Sequence, residues 1–205
     1  MDKQELRRQV LEQRRHRSAA EIRAAGSALR DTLVALPELT MGGTVAVYYS
    51  VGEEPDTRKL VTALWRHGVY VLLPVFQKDR NLDWAAYEGP DSVEPSRLGL
   101  LEPTGPRYGL DAPYRAAAVI CPALAVDTAG RRLGRGAGCY DRALARVGPN
   151  TRTLAVVYDT EVVATVPAEP HDIPVQGVVT PQAGLRWFPH ARDGGGSGTD
   201  PDGTR

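Results

Sequence analysis

Between positions 132 and 141 the chain reads Arg132-Leu133-Gly134-Arg135-Gly136-Ala137-Gly138-Cys139-Tyr140-Asp141. Glycine at every second position removes the Cβ atoms that would hold an anion away from the backbone. Arg132 and Arg135 add forked donors that match phosphate oxygens. Asp141 offers the carboxylate that a hard divalent cation takes beside phosphates, although an aspartate here can equally cap the helix that follows. The pattern predicts a cradle for the phosphates of a nucleotide, with tight-turn geometry and surface arginines as the alternative. No Gly-Lys-Ser/Thr follows, so it is not a Walker A loop, and G-x-G-x-G is not the spacing of a dinucleotide fingerprint.

A second acidic position, Asp172, stands in Pro170-His171-Asp172-Ile173-Pro174. Flanking prolines fix that loop, and Asp172 reads as a second metal ligand or as an ordinary turn residue. Glu53, Glu54 and Asp56 form a third group just after a predicted strand, where Asp56 can cap the next helix. His16, His67, His171 and His190 are scattered without metal-ligand spacing, and only His171 has an acidic neighbour that justifies a test. Cys121 and Cys139 are too few for a disulfide framework and read as free thiols of a reducing compartment. Nothing pairs a nucleophile with a base.

The elements that must carry these residues follow from hydrophobic period. Residues 2–17 form a polar, basic helix with Leu6, Val10 and Leu11 as its apolar stripe. Ser18 and Glu21 have capping-box spacing and open a second helix, which Pro37 ends. Strands are expected over 44–49, 69–75, 82–87, 117–124, 153–158 and 175–179. Helices are expected over 56–67, with Leu60, Val61, Leu64 and Trp65 inward, and over 140–147. Residues 89–113 read as a long Gly/Pro-rich loop. Trp84 is a candidate to stack on an aromatic ligand, and Tyr87 to pack in the sheet. This alternation predicts an α/β fold, a mostly parallel sheet flanked by helices, with the glycine-rich turn beyond the carboxyl ends of the strands.

The 205 residues, 42% of them hydrophobic, suffice for a single domain, expected over 1–190 with a disordered tail over 191–205. Lys plus Arg and Asp plus Glu each number 25, so nothing in the charge points to nucleic acid. No apolar run reaches the ~18 residues of a membrane span, and the charged N-terminus has no signal-peptide core. A cytoplasmic monomer is the expectation.

Several motifs in order make the chain resemble the 5-formyltetrahydrofolate cyclo-ligase (5,10-methenyltetrahydrofolate synthetase) family. They are Lys3-x-x-Leu6-Arg7; Tyr49-Ser50 with Glu54-Pro55-Asp56-Thr57; Glu102-Pro103; Pro122-Ala123-Leu124-Ala125-Val126-Asp127 leading to the glycine turn and Tyr140-Asp141-Arg142; and Pro167-x-x-Pro170-His171-Asp172 with Val178-Val179-Thr180. The resemblance covers about residues 3–181 and implies a NagB/RpiA/CoA-transferase-like fold. It implies that ATP and 5-formyltetrahydrofolate give 5,10-methenyltetrahydrofolate, ADP and phosphate. It also implies the assignments. Lys3 and Arg7 would contact ATP, with the basic helix closing over it. Arg132, Leu133, Gly134, Arg135, Gly136, Ala137, Gly138, Cys139 and Tyr140 would hold its phosphates. Val51 and Asp56, with Arg135 to Cys139, would line the folate pocket, and Asp141 and Asp172 would bind Mg2+. Arg132, Arg135 and Asp141 would carry the catalysis. The chemistry asks for no enzyme nucleophile, because phosphorylating the formyl oxygen makes it a leaving group for attack by N10. Cys139, Ala137 and Gln176 depart from the family pattern: Cys139 replaces an aromatic residue, Ala137 a Gly or Lys, and Gln176 an acidic residue. A non-catalytic folate-binding homologue, or a sugar-phosphate isomerase or acyl-CoA transferase of the same broad fold, are the competing readings.

Overall fold

The computed structural model describes residues 1–41, 43–96 and 99–189. The expected tail over 191–205 lies outside the described residues. The chain opens with helix α1 (Lys3–Arg15), capped by the Asp2 carboxylate, which accepts from Glu5 N at 2.8 Å. Helix α2 (Ala19–Val34) begins with the Ser18–Glu21 capping box that its spacing predicts. A short helix, α3 (Pro37–Thr40), follows with Pro37 in its first turn, so the proline that ends α2 starts another helix.

The alternating elements then build the sheet. They are β1 (Thr44–Val47), α4 (Arg58–Arg66), β2 (Tyr70–Phe76), β3 (Leu82–Ala86), β4 (Val93–Pro95), β5 (Leu101–Pro103), β6 (Ala118–Pro122), β7 (Ala125–Val126), β8 (Arg132–Leu133), α5 (Cys139–Leu144), β9 (Arg152–Val156), β10 (Gly177–Thr180) and β11 (Gly184–Trp187). Seven strands form one sheet in the order β11-β10-β9-β6-β1-β2-β3. The inner pairings are parallel, and the two edges, β3 on β2 and β11 on β10, are antiparallel. The parallel strands read as continuous apolar runs because both faces are covered. α2 and α4 pack on one another and on the sheet. α4 contributes Leu60, Val61 and Leu64, all fully buried, each worth roughly 1.5–3 kcal/mol of burial.

Trp65 differs from the inward position expected of it. It is 37% exposed and sets its indole edge-on to Tyr87, with centroids 5.9 Å apart. The 89–113 loop is not structureless either: β4 and β5 form a small antiparallel ladder inside it. The expected strand over 117–124 stops at Pro122, and the chain folds into the β7–β8 hairpin before reaching the glycines. Buried Asp127 holds that hairpin. Its carboxylate accepts from Ala129 N, Arg131 N, Arg131 Nε and Val166 N at 2.8 to 3.1 Å. No described helix is long and apolar enough to cross a membrane.

Candidate active site

β1 sits between β2 and β6, so the chain leaves the carboxyl ends of β1 and β6 in opposite directions. Such a reversal opens a crevice between the departing loops. Here the crevice is a cavity of about 980 Å³. Its walls come from residues just past β1 (Tyr48, Tyr49, Val51, Glu54), the end of β2 (Phe76), and the hairpin and turn after β6.

The glycine-rich turn forms one wall. Gly136 and Gly138 adopt φ of 103° and 67°, conformations closed to most side-chain-bearing residues. Consequently the turn satisfies none of its own amides: among the described residues, no backbone N–H from Gly134 to Gly138 donates a hydrogen bond. Arg7 of α1 lies over it, donating from Nε to Gly134 O at 2.9 Å, with its guanidinium carbon 3.5 Å from where a Gly136 Cβ would stand. Arg142 braces the other side, donating to Ala137 O at 3.0 Å and to Arg80 O in the β2–β3 turn. α5 spans only six residues, Cys139–Leu144, fewer than the 140–147 helix expected.

α1 is docked rather than hovering. Leu6 and Val10 bury against Leu124, Ala125, Leu133 and Val166. Arg14 continues the same stripe with a buried, bidentate pair to Glu161, both contacts 2.7 Å, and donates to Ala123 O. Lys3 and Arg7 thus enter the cavity wall from a fixed helix.

Asp141, Glu169 and Asp172 border the same cavity. Asp141 Oδ1 accepts from Arg132 Nη2 at 2.6 Å and from Ile173 N at 3.2 Å, and the second contact binds the 169–174 loop to α5. Asp172 Oδ2 accepts from Lys3 Nζ and from Glu169 N, both at 2.7 Å. Burial is the largest single effect on both Lys3 and Asp172 and disfavours their charged forms, but it is outweighed by the surrounding contacts together: Asp172 and Glu169 raise the lysine's pKa, and Lys3 and the Glu169 N–H lower the aspartate's. In each aspartate one oxygen, Asp141 Oδ2 and Asp172 Oδ1, accepts no hydrogen bond among the described residues. Free carboxylate oxygens beside a phosphate cradle suit Mg2+, so the donor set fits that ion. Donor atoms of Glu169, His171 and Asp172 also lie within 4.8 Å of one another.

Every site residue expected from the sequence borders this cavity except Asp56. Asp56 turns away. Its Oδ1 accepts from Arg58 N at 3.0 Å and Ser50 Oγ at 3.1 Å, and its Cβ packs where a side chain on Gly26 of α2 would clash. It secures the entry to α4. Glu54, two residues earlier, faces the cavity: Oε1 accepts from Arg135 Nε and Nη2 at 3.3 and 3.2 Å, and Oε2 from Val51 N at 3.1 Å. Trp84 is fully buried away from the cavity, whose aromatic lining is Tyr48, Tyr49, Phe76 and Tyr140 instead. Gln176 is not near the carboxylates: its side-chain oxygen accepts from Thr153 N, closing the start of the β9–β10 ladder. Burial pushes the Cys139 thiol up from its ordinary value, so it stays protonated at neutral pH and offers no thiolate nucleophile.

The 5-formyltetrahydrofolate cyclo-ligase family model matches residues 1–181. The chain belongs to that family. The match makes it a ligase of folate metabolism. Its relatives include the 5-formyltetrahydrofolate cyclo-ligase of Mycolicibacterium smegmatis, 38% identical over 89% of this chain and 95% of that one. The enzyme of the same name from Escherichia coli is 32% identical over 87% of this chain and 100% of its own. Among solved structures, the 5,10-methenyltetrahydrofolate synthetase of Aquifex aeolicus superposes with a TM-score of 0.80 at 30% identity, covering 97% of each chain. The synthetase of Mycoplasma pneumoniae, at 20% identity and TM-score 0.69 over 87% of this chain and 98% of its own, shares the fold. Family members are thus alike over nearly their whole length, and the cavity-lining loops fall within the matched span.

Proposed function

We propose that this cavity closes 5-formyltetrahydrofolate to 5,10-methenyltetrahydrofolate, consuming ATP and releasing ADP and phosphate, with the nucleotide's phosphates on the glycine-rich turn. The observation that carries the reading is the run of unpartnered amides from Gly134 to Gly138 beneath Arg7 and beside Arg135. Backbone donors without protein partners, lining a crevice at the reversal of a parallel sheet, are preorganised for an anion.

The formyl oxygen attacks the γ-phosphorus, and the bond to the ADP oxygen breaks. N10 then bonds to the formyl carbon, the carbon–oxygen bond to phosphate breaks, and the N10 proton passes to water. The chain's contribution is orientation and charge. Arg7 and Lys3 meet the phosphates from α1. Arg135 reaches the transferring group from the turn, with its partner Glu54 fixing its direction. Tyr49 and Phe76 flank the pterin, and Val51 borders it. Arg132 holds Asp141 against the wall, and Asp141 and Asp172 would hold Mg2+. That ion, when bound, neutralises charge developing on the phosphate oxygens. The cytoplasm, where ATP and reduced folates are available, is the proposed setting.

Purified protein mixed with 5-formyltetrahydrofolate and Mg-ATP should develop the absorbance of the methenyl product, with one ADP formed per product. Binding of the folate without turnover would favour the non-catalytic homologue instead.

A further inference from the structure

The Lys3 ammonium sits where a metal ion would be expected. Its Nζ lies 2.7 Å from Asp172 Oδ2 and 2.9 Å from Glu169 Oε2, and His171 Nε2 stands 3.4 Å from the same Glu169 oxygen. The Lys3 and Asp172 side chains are only 18% and 14% exposed, while Glu169 and His171, at 55% and 70%, close the place from the solvent side. Two carboxylates and an imidazole with donor atoms this close form a cation place, and the protein's own cation fills it. Yet the proposed function, on which this inference rests, gives Lys3 to the phosphates and Asp172 to Mg2+. An ammonium and a divalent ion compete for the same carboxylate.

We propose that Lys3 is a displaceable occupant of the Asp172–Glu169 cation place, expelled when Mg2+ arrives and passed to the nucleotide's phosphates. The backbone of α1 need not move, because Leu6, Val10 and the Arg14–Glu161 pair hold it, and a lysine's flexible stem suffices for the swing. The exchange makes metal and nucleotide bind as partners. Metal alone, even approaching by the open Oδ1, meets the ammonium's charge on the same carboxylate, and displacing Lys3 from Oδ2 leaves that ammonium with a poorer partner. Metal with nucleotide breaks the same pair but gives the ammonium an anion. By linkage, each ligand then raises the other's affinity by the same factor.

The test uses Mn2+ as the probe, read by the loss of its free-ion paramagnetic resonance signal, on the intact protein without nucleotide. Removing the resident charge should tighten Mn2+ binding, so Lys3→Met is expected to bind it on the order of tenfold more tightly than wild type. The gain should vanish in the double variant Lys3→Met with Asp172→Asn. A Lys3→Met protein that binds Mn2+ no better than wild type overturns the exchange, as does a gain that survives loss of Asp172. Turnover of 5-formyltetrahydrofolate by wild type, measured on the same preparations, keeps the two readings apart: turnover with an unchanged Mn2+ affinity overturns the exchange alone.

Discussion

Two arginine–carboxylate pairs, Arg14–Glu161 and Arg132–Asp141, resemble each other in chemistry and differ in completeness. Arg14 and Glu161 are 3% and 2% exposed and fully engaged. The guanidinium makes two bonds to Glu161 and one to Ala123 O, and Glu161 also accepts from Tyr158 N. Arg132, 2% exposed, makes one bond to Asp141, and its buried Nε has no partner among the described residues. Asp141 likewise keeps one oxygen free. Buried polar groups in native proteins are nearly always satisfied, so an unsatisfied one asks for a cause. The first pair also borders the cavity through Arg14, yet both oxygens of Glu161 are engaged, and it ties α1 to the fold. The second is half-finished inside a cavity, where ligands can complete it.

Glu161→Leu should break this comparison most visibly. It strands a buried Arg14, and the expected loss is roughly 3–5 kcal/mol of unfolding free energy in a denaturant titration. Turnover per folded molecule should stay within a few-fold of wild type. Replacing both partners, Arg14→Met with Glu161→Leu, should recover most of the stability, since an apolar pair carries no desolvation penalty. A double variant as unstable as the single one would mean that the pair does more than neutralise itself.

Asp141→Asn is the converse. Turnover is expected to drop at least about a hundredfold, with the midpoint of thermal unfolding little changed. An Asp141→Asn enzyme that is fully active but unstable would place this pair with the structural one. Gly136→Ala should have a smaller effect. At φ of 103° the new methyl strains the backbone by about 1–3 kcal/mol, while its contact with Arg7 at 3.5 Å is ordinary. The distorted amides should raise the KM for ATP more than the KM for the folate; an equal rise in both would detach the turn from the nucleotide.

The smallest effect concerns Lys3 and pH. Lys3 holds Glu169 below its ordinary pKa, and holds Asp172 below its own despite the opposing effect of burial. A carboxylate depressed in the folded state stabilises the fold above its unfolded pKa and loses that contribution as pH falls through its folded value. Thermal unfolding of wild type and Lys3→Met should therefore differ slightly at neutral pH and converge as pH falls below about 3.8, the ordinary aspartate value. A gap that widens in acid would contradict the ion pair.

These pairs also mark what could be read in the sequence. The parallel strands were legible because burial on both faces leaves uninterrupted apolar runs, and the Ser18–Glu21 box because its signal is local. β11 was not, since residues 184–187 mix polar and apolar types and gain their order from pairing with β10. β4 and β5 were hidden by their three-residue length and their prolines. The glycine turn announced the site, yet Arg14 read as one more charge on a basic helix, because its burial depends on Glu161, distant in sequence. Asp56 and Glu54 show the same limit: both are acidic and two residues apart, and contacts distant in sequence, α2 at Gly26 for Asp56 and Arg135 for Glu54, accompany the different directions they take. Tyr48 and Tyr49 looked like the end of a strand, but β1 ends at Val47 and both border the cavity.

The most direct test is a crystal structure with Mg2+, a non-hydrolysable ATP analogue and 5-formyltetrahydrofolate. The account predicts phosphate oxygens within hydrogen-bonding distance of the amides between Gly134 and Gly138, with the formyl oxygen facing the γ-phosphate. A triphosphate seated elsewhere in the molecule, with those amides still unpartnered, would contradict it.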